Sequence, residues 1–152
     1  MIAMTIFFYK ADQPYGCFSN FSPHPVQLIG RSWSTAEHYY QAQKFFGSDH
    51  DLFERIQAAP SPEFAAKLGR AHPEAYRPDW HQVKLGVMLD VVREKFRCHR
   101  DIQEILIATG DHILIEDSPV DYFWGCGADR SGMNHLGQIL MRVRNELSQD
   151  FR

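Results

Sequence analysis

Residues 34–46 constrain the fold more than any other stretch, because they open like a helix and leave that helix almost no position fit for water. Ser34 is a hydroxyl residue of the kind that caps helix N-termini. Glu37 stands three residues later, where its carboxylate can accept from the Ser34 amide and close a capping box. Counted at 3.6 residues per turn, Glu37, Gln41 and Lys44 are spaced i, i+4, i+7 and fall on one stripe, with Tyr40 beside them. An acid, an amide and an amine therefore share one wall. A rise of ~1.5 Å per residue puts Glu37 and Lys44 roughly 10 Å apart along the axis, a separation suited to two ends of a ligand rather than to an ion pair. Residue type alone favours plainer roles, with Glu37 only a cap and Lys44 only a solvated charge. The crowd of Tyr39, Tyr40, Phe45 and Phe46 argues against them, since it turns some of the polar groups toward protein or a cleft.

Before this stretch, residues 5–9 read as a strand, residues 12–16 as a turn, and residues 25–33 as a small edge hairpin turning at Ile29-Gly30-Arg31. After Gly47, Ser48 or Asp49 caps a helix carrying Leu52, Phe53 and Ile56, and Ser61-Pro62 opens another through Phe64, Ala65 and Leu68 to Gly69. The longest periodic stretch starts at Asp79 and places Trp80, Val83, Lys84, Val87, Met88, Val91 and Phe96 at steps of three and four, which predicts an amphipathic helix. A short helix over 101–109 closes at Gly110, a strand covers 112–116, and a turn and polar loop run to Asn134. Asn134 is expected to cap a last helix striped by Leu136, Ile139, Leu140, Val143 and Leu147. About six helices and four or five short strands make the expected class α+β, helix-dominated, in a single domain over 1–152. Gly125-x-Gly127 has Arg130 at the third glycine position of a dinucleotide fingerprint, so a Rossmann sheet is not supported.

The net charge of -3 argues against a broad nucleic-acid footprint. Three distant cysteines, Cys17, Cys98 and Cys126, spell neither a disulfide framework nor a CxxC metal site, which suits a reducing compartment. Residues 1–8 lack the basic start and small-residue cleavage site of a leader, and no apolar run reaches membrane-spanning length. The expectation is a cytoplasmic protein off the membrane. The eight histidines form no HExxH or i, i+4 pair, so no metal is assigned, and no cofactor is expected.

Four stretches combine chemical groups with turn punctuation: Gly16-x-x-Ser19-Asn20-Phe21, then Thr35-x-Glu37-His38-Tyr39-Tyr40-Gln41-Ala42-x-Lys44-Phe45, then Asp79-Trp80, and last Leu114 through Arg144. The last contains Glu116-Asp117-Ser118-Pro119-x-Asp121-x-x-Trp124-Gly125-x-Gly127 and Gly132-x-Asn134-x-Leu136-Gly137. In this spaced combination the chain resembles the NADAR family, also called YbiA-like, over nearly its whole length. The resemblance implies a YbiA-like fold and N-glycosidase activity, the hydrolysis of a bond between a ribose carbon and the nitrogen of a base. Its substrates would be ribosylamino-pyrimidine phosphates of riboflavin biosynthesis, or ADP-ribose carried on guanine, with nucleic acid entering only as an ADP-ribosylated substrate. A module that holds an ADP-ribose-type nucleotide without turnover is the non-catalytic alternative. The positions matching the family's active site are Glu37, Lys44, Trp80 and Asp121, with Asn20 and Trp124 near them.

Independent chemistry points to the same groups. Breaking an N-glycoside builds positive charge on the sugar and negative charge on the base, so a carboxylate and a proton source are needed, and Glu37 and Asp121 are the two candidates. Lys44 adds a second route: desolvated among aromatics, its amine can attack the sugar and carry it as a Schiff base. Spacing does not choose between direct water attack and this covalent route. Trp80 and Trp124 offer faces for a base, with Tyr40 and Gln41 beside Lys44. The loop from Gly125 and Gly127 to Asn134 offers backbone amides to a phosphate, with Arg130 as counter-charge. Each group also has a plainer reading: Trp80 as core, Asp121 as a turn cap, Arg130 as a solvated charge.

Overall fold

A computed structural model describes residues 4–150. Residues 1–3, part of the start inspected for a leader, lie outside it, as do residues 151–152. The chain falls into two compact units, Pro23–Lys95 and a discontinuous one of Met1–Ser22 with Phe96–Arg152. Among the described residues there are six α-helices and four short strands, the helix-dominated α+β class expected, and none of these helices is long and apolar enough to cross a membrane.

In the Pro23–Lys95 unit, β2 (Val26–Leu28) and β3 (Arg31–Trp33) form an antiparallel hairpin with Leu28 opposite Arg31. Ile29 and Gly30 are thus its two turn residues, and both take the left-handed backbone (φ 49° and 73°) that a type I′ turn requires. Trp33 is fully buried, edge-on to both Tyr39 and Phe53. The helix that follows, α1 (Ala36–Gln43), has all eight residues buried, as its aromatic content demanded. Its cap is Thr35 rather than Ser34: Thr35 is extended (φ −144°, ψ 166°), and its hydroxyl accepts from the His38 amide at 3.2 Å and bonds His38 Nδ1 at 2.8 Å. This shift moves Glu37 to the second helical position, out of a capping box, and leaves its carboxylate to other work.

Asp49 caps α2 (His50–Gln57) through the Leu52 amide, and Ser61 caps α3 (Pro62–Ala71) with proline at its first position. Phe64, read as a packing residue, is 45% exposed; the buried face of α3 is Ala65, Ala66 and Gly69. Such small residues let two helix backbones approach, and α3 packs on α1 through them. In α4 (Trp80–Cys98) the expected stripe is buried at Trp80, Val87, Met88, Val91 and Phe96.

In the other unit, β1 (Thr5–Phe8) lies parallel to β4 (Ile113–Glu116), with Thr5 opposite Ile113. The helix α5 (Arg100–Ala108) ends through Thr109 at Gly110, whose φ of 57° is the left-handed stop expected there. The last helix, α6 (His135–Asp150), packs on β4 and α5. Gly137 permits this, because a Cβ there would stand 2.1 Å from the Leu114 carbonyl oxygen. Asn134 stands just before α6 as expected, its carbonyl accepting from the Gln138 amide at 3.0 Å, but its φ is 51° and its side chain grips β4, accepting from the Glu116 amide at 3.0 Å and donating to the Leu114 carbonyl at 2.9 Å.

Thr35→Ala removes a cap worth ~1 kcal/mol and strips a buried hydroxyl partner from His38, so a loss of roughly 2–3 kcal/mol is expected in urea unfolding. Ser34→Ala should stay within about 0.5 kcal/mol of wild type. Equal effects at the two positions would contradict the cap assignment.

Candidate active site

Lys44 is the C-terminal cap residue of α1, and its main chain and side chain are both held from residues 76–77. Its carbonyl accepts from the Arg77 amide at 2.6 Å, and its Nζ donates to Tyr76 Oη at 3.3 Å. The amine also lies over the faces of Tyr40 (5.4 Å to the centroid) and Tyr76 (5.1 Å). Only 6% of the residue is exposed. Burial, which penalises the charged form, lowers its pKa from 10.5 to about 8; Glu37 works against that shift, while Arg70 and Lys84 add to it.

One turn back on the same stripe, Gln41 Nε2 donates to Glu37 Oε1 at 2.7 Å, so the acid and the amide form one unit. Gln41 Oε1 is buried with no protein hydrogen-bond partner. Leaving a buried acceptor unpaired costs roughly 1–3 kcal/mol, and such atoms call for a reason; an N–H or O–H of a ligand would supply one. The oxygen fits only because Gly69 faces it, since a Cβ on Gly69 would stand 2.0 Å away. Trp80 completes the wall, its ring 5.2 Å from that of Tyr40 and 6.5 Å from that of Tyr76. At 4% exposure its indole is a wall of the lysine nest more than an open platform for a base.

The sequence stripe therefore survives as geometry: Glu37, Tyr40, Gln41, Lys44 and Trp80 come together in the Pro23–Lys95 unit. Two participants were missed. Gly69 hides among helix residues, and Tyr76 sits in an irregular segment, residues 72–79, where no periodicity marks it. The one available signal was an aromatic residue between Pro73 and Pro78, because proline-flanked loop aromatics are seldom left without a contact.

The remaining candidates lie in the other unit. Asn20 is buried there. Asp121 Oδ1 accepts from the Phe123 amide at 2.9 Å and the Trp124 amide at 2.7 Å, so it does fix a turn. Half-buried Trp124 stands edge-on to Phe123 at 4.8 Å. Most amides of the loop from Gly125, read as a phosphate cradle, are bonded within the protein. The amides of Cys126, Arg130, Gly132, Met133, Asn134, His135 and Leu136 donate to backbone carbonyls, that of Ala128 to the Tyr122 hydroxyl, and that of Ser131 to Asp129. Gly125 and Gly127 serve packing, since side chains there would strike the Glu116 carbonyl at 2.9 Å and the Tyr122 ring at 2.3 Å. Arg130 is exposed, its guanidinium 4.3 Å above the Phe7 ring centre.

Glu37, Gln41 and Lys44 thus give this helix-rich α+β chain an acid, an amide and a lowered-pKa amine on one buried face. The chain belongs to the NADAR family: the NADAR domain matches residues 7–148. It is 55% identical to an N-glycosidase of Nostoc punctiforme over 95% of this chain and 93% of that one. It is 41% identical to the chloroplastic riboflavin biosynthesis protein PYRR of Zea mays, over 93% of this chain and 25% of that longer one. The solution structure of the Escherichia coli protein YbiA is similar at a TM-score of 0.89 and 39% identity, covering 99% of this chain and 88% of that one.

The lowered lysine pKa has a consequence for stability. Unfolded chain holds the Lys44 proton up to its ordinary 10.5 and the folded chain only to about 8, so between these values unfolding takes up a proton and stability rises with pH. Below pH 8 the folded state bears the full cost of the buried ammonium. Lys44→Met removes that dependence, so its stability relative to wild type should fall by up to about 3 kcal/mol from pH 8 to 10.5, at about 1.4 kcal/mol per pKa unit. Urea unfolding at pH 7, 9 and 10 measures this; a pH-independent difference would count against the shift.

Proposed function

We propose that this NADAR-family N-glycosidase cleaves the bond between ribose C1 and the nitrogen of its base through a covalent intermediate on Lys44. Its substrate class is ribosylamino-pyrimidine phosphates. The observation that carries the reading is the desolvated Lys44 amine, on one helix face with the bonded Glu37 and Gln41 pair. With a pKa of about 8, about a tenth of the amines are free at pH 7, where an ordinary lysine offers less than a thousandth.

In this mechanism Nζ adds to C1 as the bond to the base nitrogen breaks, and the base leaves with that electron pair. Glu37 takes the proton that Nζ sheds and passes it to the departing base. The ring then opens, its oxygen taking the remaining Nζ proton as C1 and Nζ form an imine, and water adds to the imine carbon to release the ribose phosphate and restore the amine. Gln41 Oε1 accepts from a substrate hydroxyl, which fills its missing bond.

The names of relatives support this reading, since they include N-glycosidases and riboflavin biosynthesis proteins from Zea mays and Vibrio vulnificus. The net charge of -3 favours a small phosphate substrate over ADP-ribosylated nucleic acid. The family match over 7–148 supports reading 1–152 as one functional domain, and cysteines outside any disulfide suit the cytoplasm.

Incubation with a ribosylamino-pyrimidine phosphate, and separately with ADP-ribosylated guanine, should release base from the first far faster when followed by chromatography. Borohydride added during turnover should trap a ribosyl adduct on the peptide carrying Lys44, and Lys44→Ala should abolish adduct and activity together. Full activity in Lys44→Ala would leave hydrolysis by water, with Glu37 and Asp121, as the better account. Glu37→Gln should fold normally and lose at least about a hundredfold in kcat, the usual scale for general acid–base groups. Unchanged turnover in that variant would remove Glu37 from the chemistry.

A further inference from the structure

We infer that Tyr76 is a positioning residue that fixes the direction in which the Lys44 amine presents its lone pair, an inference resting on Lys44 as the nucleophile. The last four carbonyls of a helix lack partners within it, and Gly69 carries one of these in Pro62–Ala71. The Tyr76 hydroxyl donates to it at 2.9 Å. That bond uses the one phenol proton, so the oxygen can only accept from Lys44 Nζ, 3.3 Å away. Burial raises the Tyr76 pKa, which keeps the phenol protonated and this polarity fixed.

The ring is not free to swing. It stands edge-on to Phe45 at 5.5 Å and to Trp80 at 6.5 Å, while the next residue, Arg77, holds the Lys44 carbonyl at 2.6 Å. Tyr76 and Arg77 thus fix the two ends of the lysine together. An unrestrained primary amine turns about its Cε–Nζ bond and aims its lone pair anywhere on a cone. With one N–H committed to Tyr76 Oη, the lone pair is restricted to the two other positions. Gly69 ties this arrangement to the acid, because the residue that accepts from Tyr76 also makes room for the Gln41 amide bonded to Glu37.

The test is Tyr76→Phe, which keeps the ring and removes only the oxygen. The ammonium then loses an acceptor, so the Lys44 pKa falls and the free amine becomes more abundant. If Tyr76 only packed, kcat would hold or rise. As a positioning residue its loss should lower kcat and the rate of borohydride trapping by about tenfold or more, with KM within about twofold, while the alkaline-rising limb of the pH profile moves to lower pH. Labelling of Lys44 by an amine reagent across pH, read by mass spectrometry, reports the pKa without substrate. Should Tyr76→Phe fail to fold, Tyr76→His restores an acceptor in a similar space, and trapping within a few-fold of wild type is then expected. Wild-type trapping and an unmoved limb in Tyr76→Phe, or trapping lost in a folded Tyr76→His, would overturn the inference. Activity surviving in Lys44→Ala would instead overturn the covalent reading beneath it.

Discussion

The end of α1 carries a lysine amine taken out of water, and its surroundings are arranged around that burial. A buried ammonium opposes folding unless charges and dipoles are arranged around it. Here Glu37 draws it toward the charged form, two tyrosine faces attract it, and desolvation with Arg70 and Lys84 pushes the other way. The balance leaves the amine near neutrality rather than locked in either state. A fully solvated lysine would be inert, and one paired tightly with a carboxylate would never lose its proton.

The two units meet the backbone's demand for hydrogen bonds differently. In the Pro23–Lys95 unit a carbonyl left over at the end of α3 and an amide after the Pro73 turn are spent on holding Lys44 and its partner Tyr76. In the other, the loop before α6 spends its amides on itself, which makes residues 125–134 a knot and sets the turn that holds Asp121 and Trp124. In the Pro23–Lys95 unit, Gln41 Oε1 and Gln43 Nε2 are buried polar atoms that the protein's own hydrogen bonds do not satisfy.

Much of this was legible in the chain. The i, i+4, i+7 stripe of Glu37, Gln41 and Lys44 follows from helical geometry alone, and aromatic density implied a helix with few positions for water, as α1 is, although Phe46 just beyond it is 51% exposed. The Asp49 and Ser61 caps and the Gly110 stop also held, because each rests on chemistry within four residues. What escaped depended on partners far along the chain. Ser34 and Thr35 are both sound caps, and which one serves is settled by His38 needing a buried partner. Asn134 reads as a cap until β4, some twenty residues earlier, claims its amide. The loop glycines look like a phosphate cradle until Tyr122 fills the space beside Gly127. Tyr76 carries no periodic pattern, only its flanking prolines; its partners are a carbonyl on α3 and an amine at the end of α1.

The parallel pairing of β1 with β4 sets an order of events during synthesis. Residues 23–95 are continuous, and the contacts among α1, α2 and α3 span short stretches of chain, so they can form as that part emerges from the ribosome. The first strand, Thr5–Phe8, is made before any of them, yet its partner does not exist until Glu116 has been added. Closing so long a loop costs little more in final stability than closing a shorter one, because the entropy grows only with the logarithm of length. It costs time instead. Through most of translation an apolar strand with two phenylalanines waits with both edges open, and such strands pair with neighbours of the wrong chain. The nascent protein is therefore most prone to aggregate at its N-terminal strand, the end farthest in sequence from the helix that completes its unit.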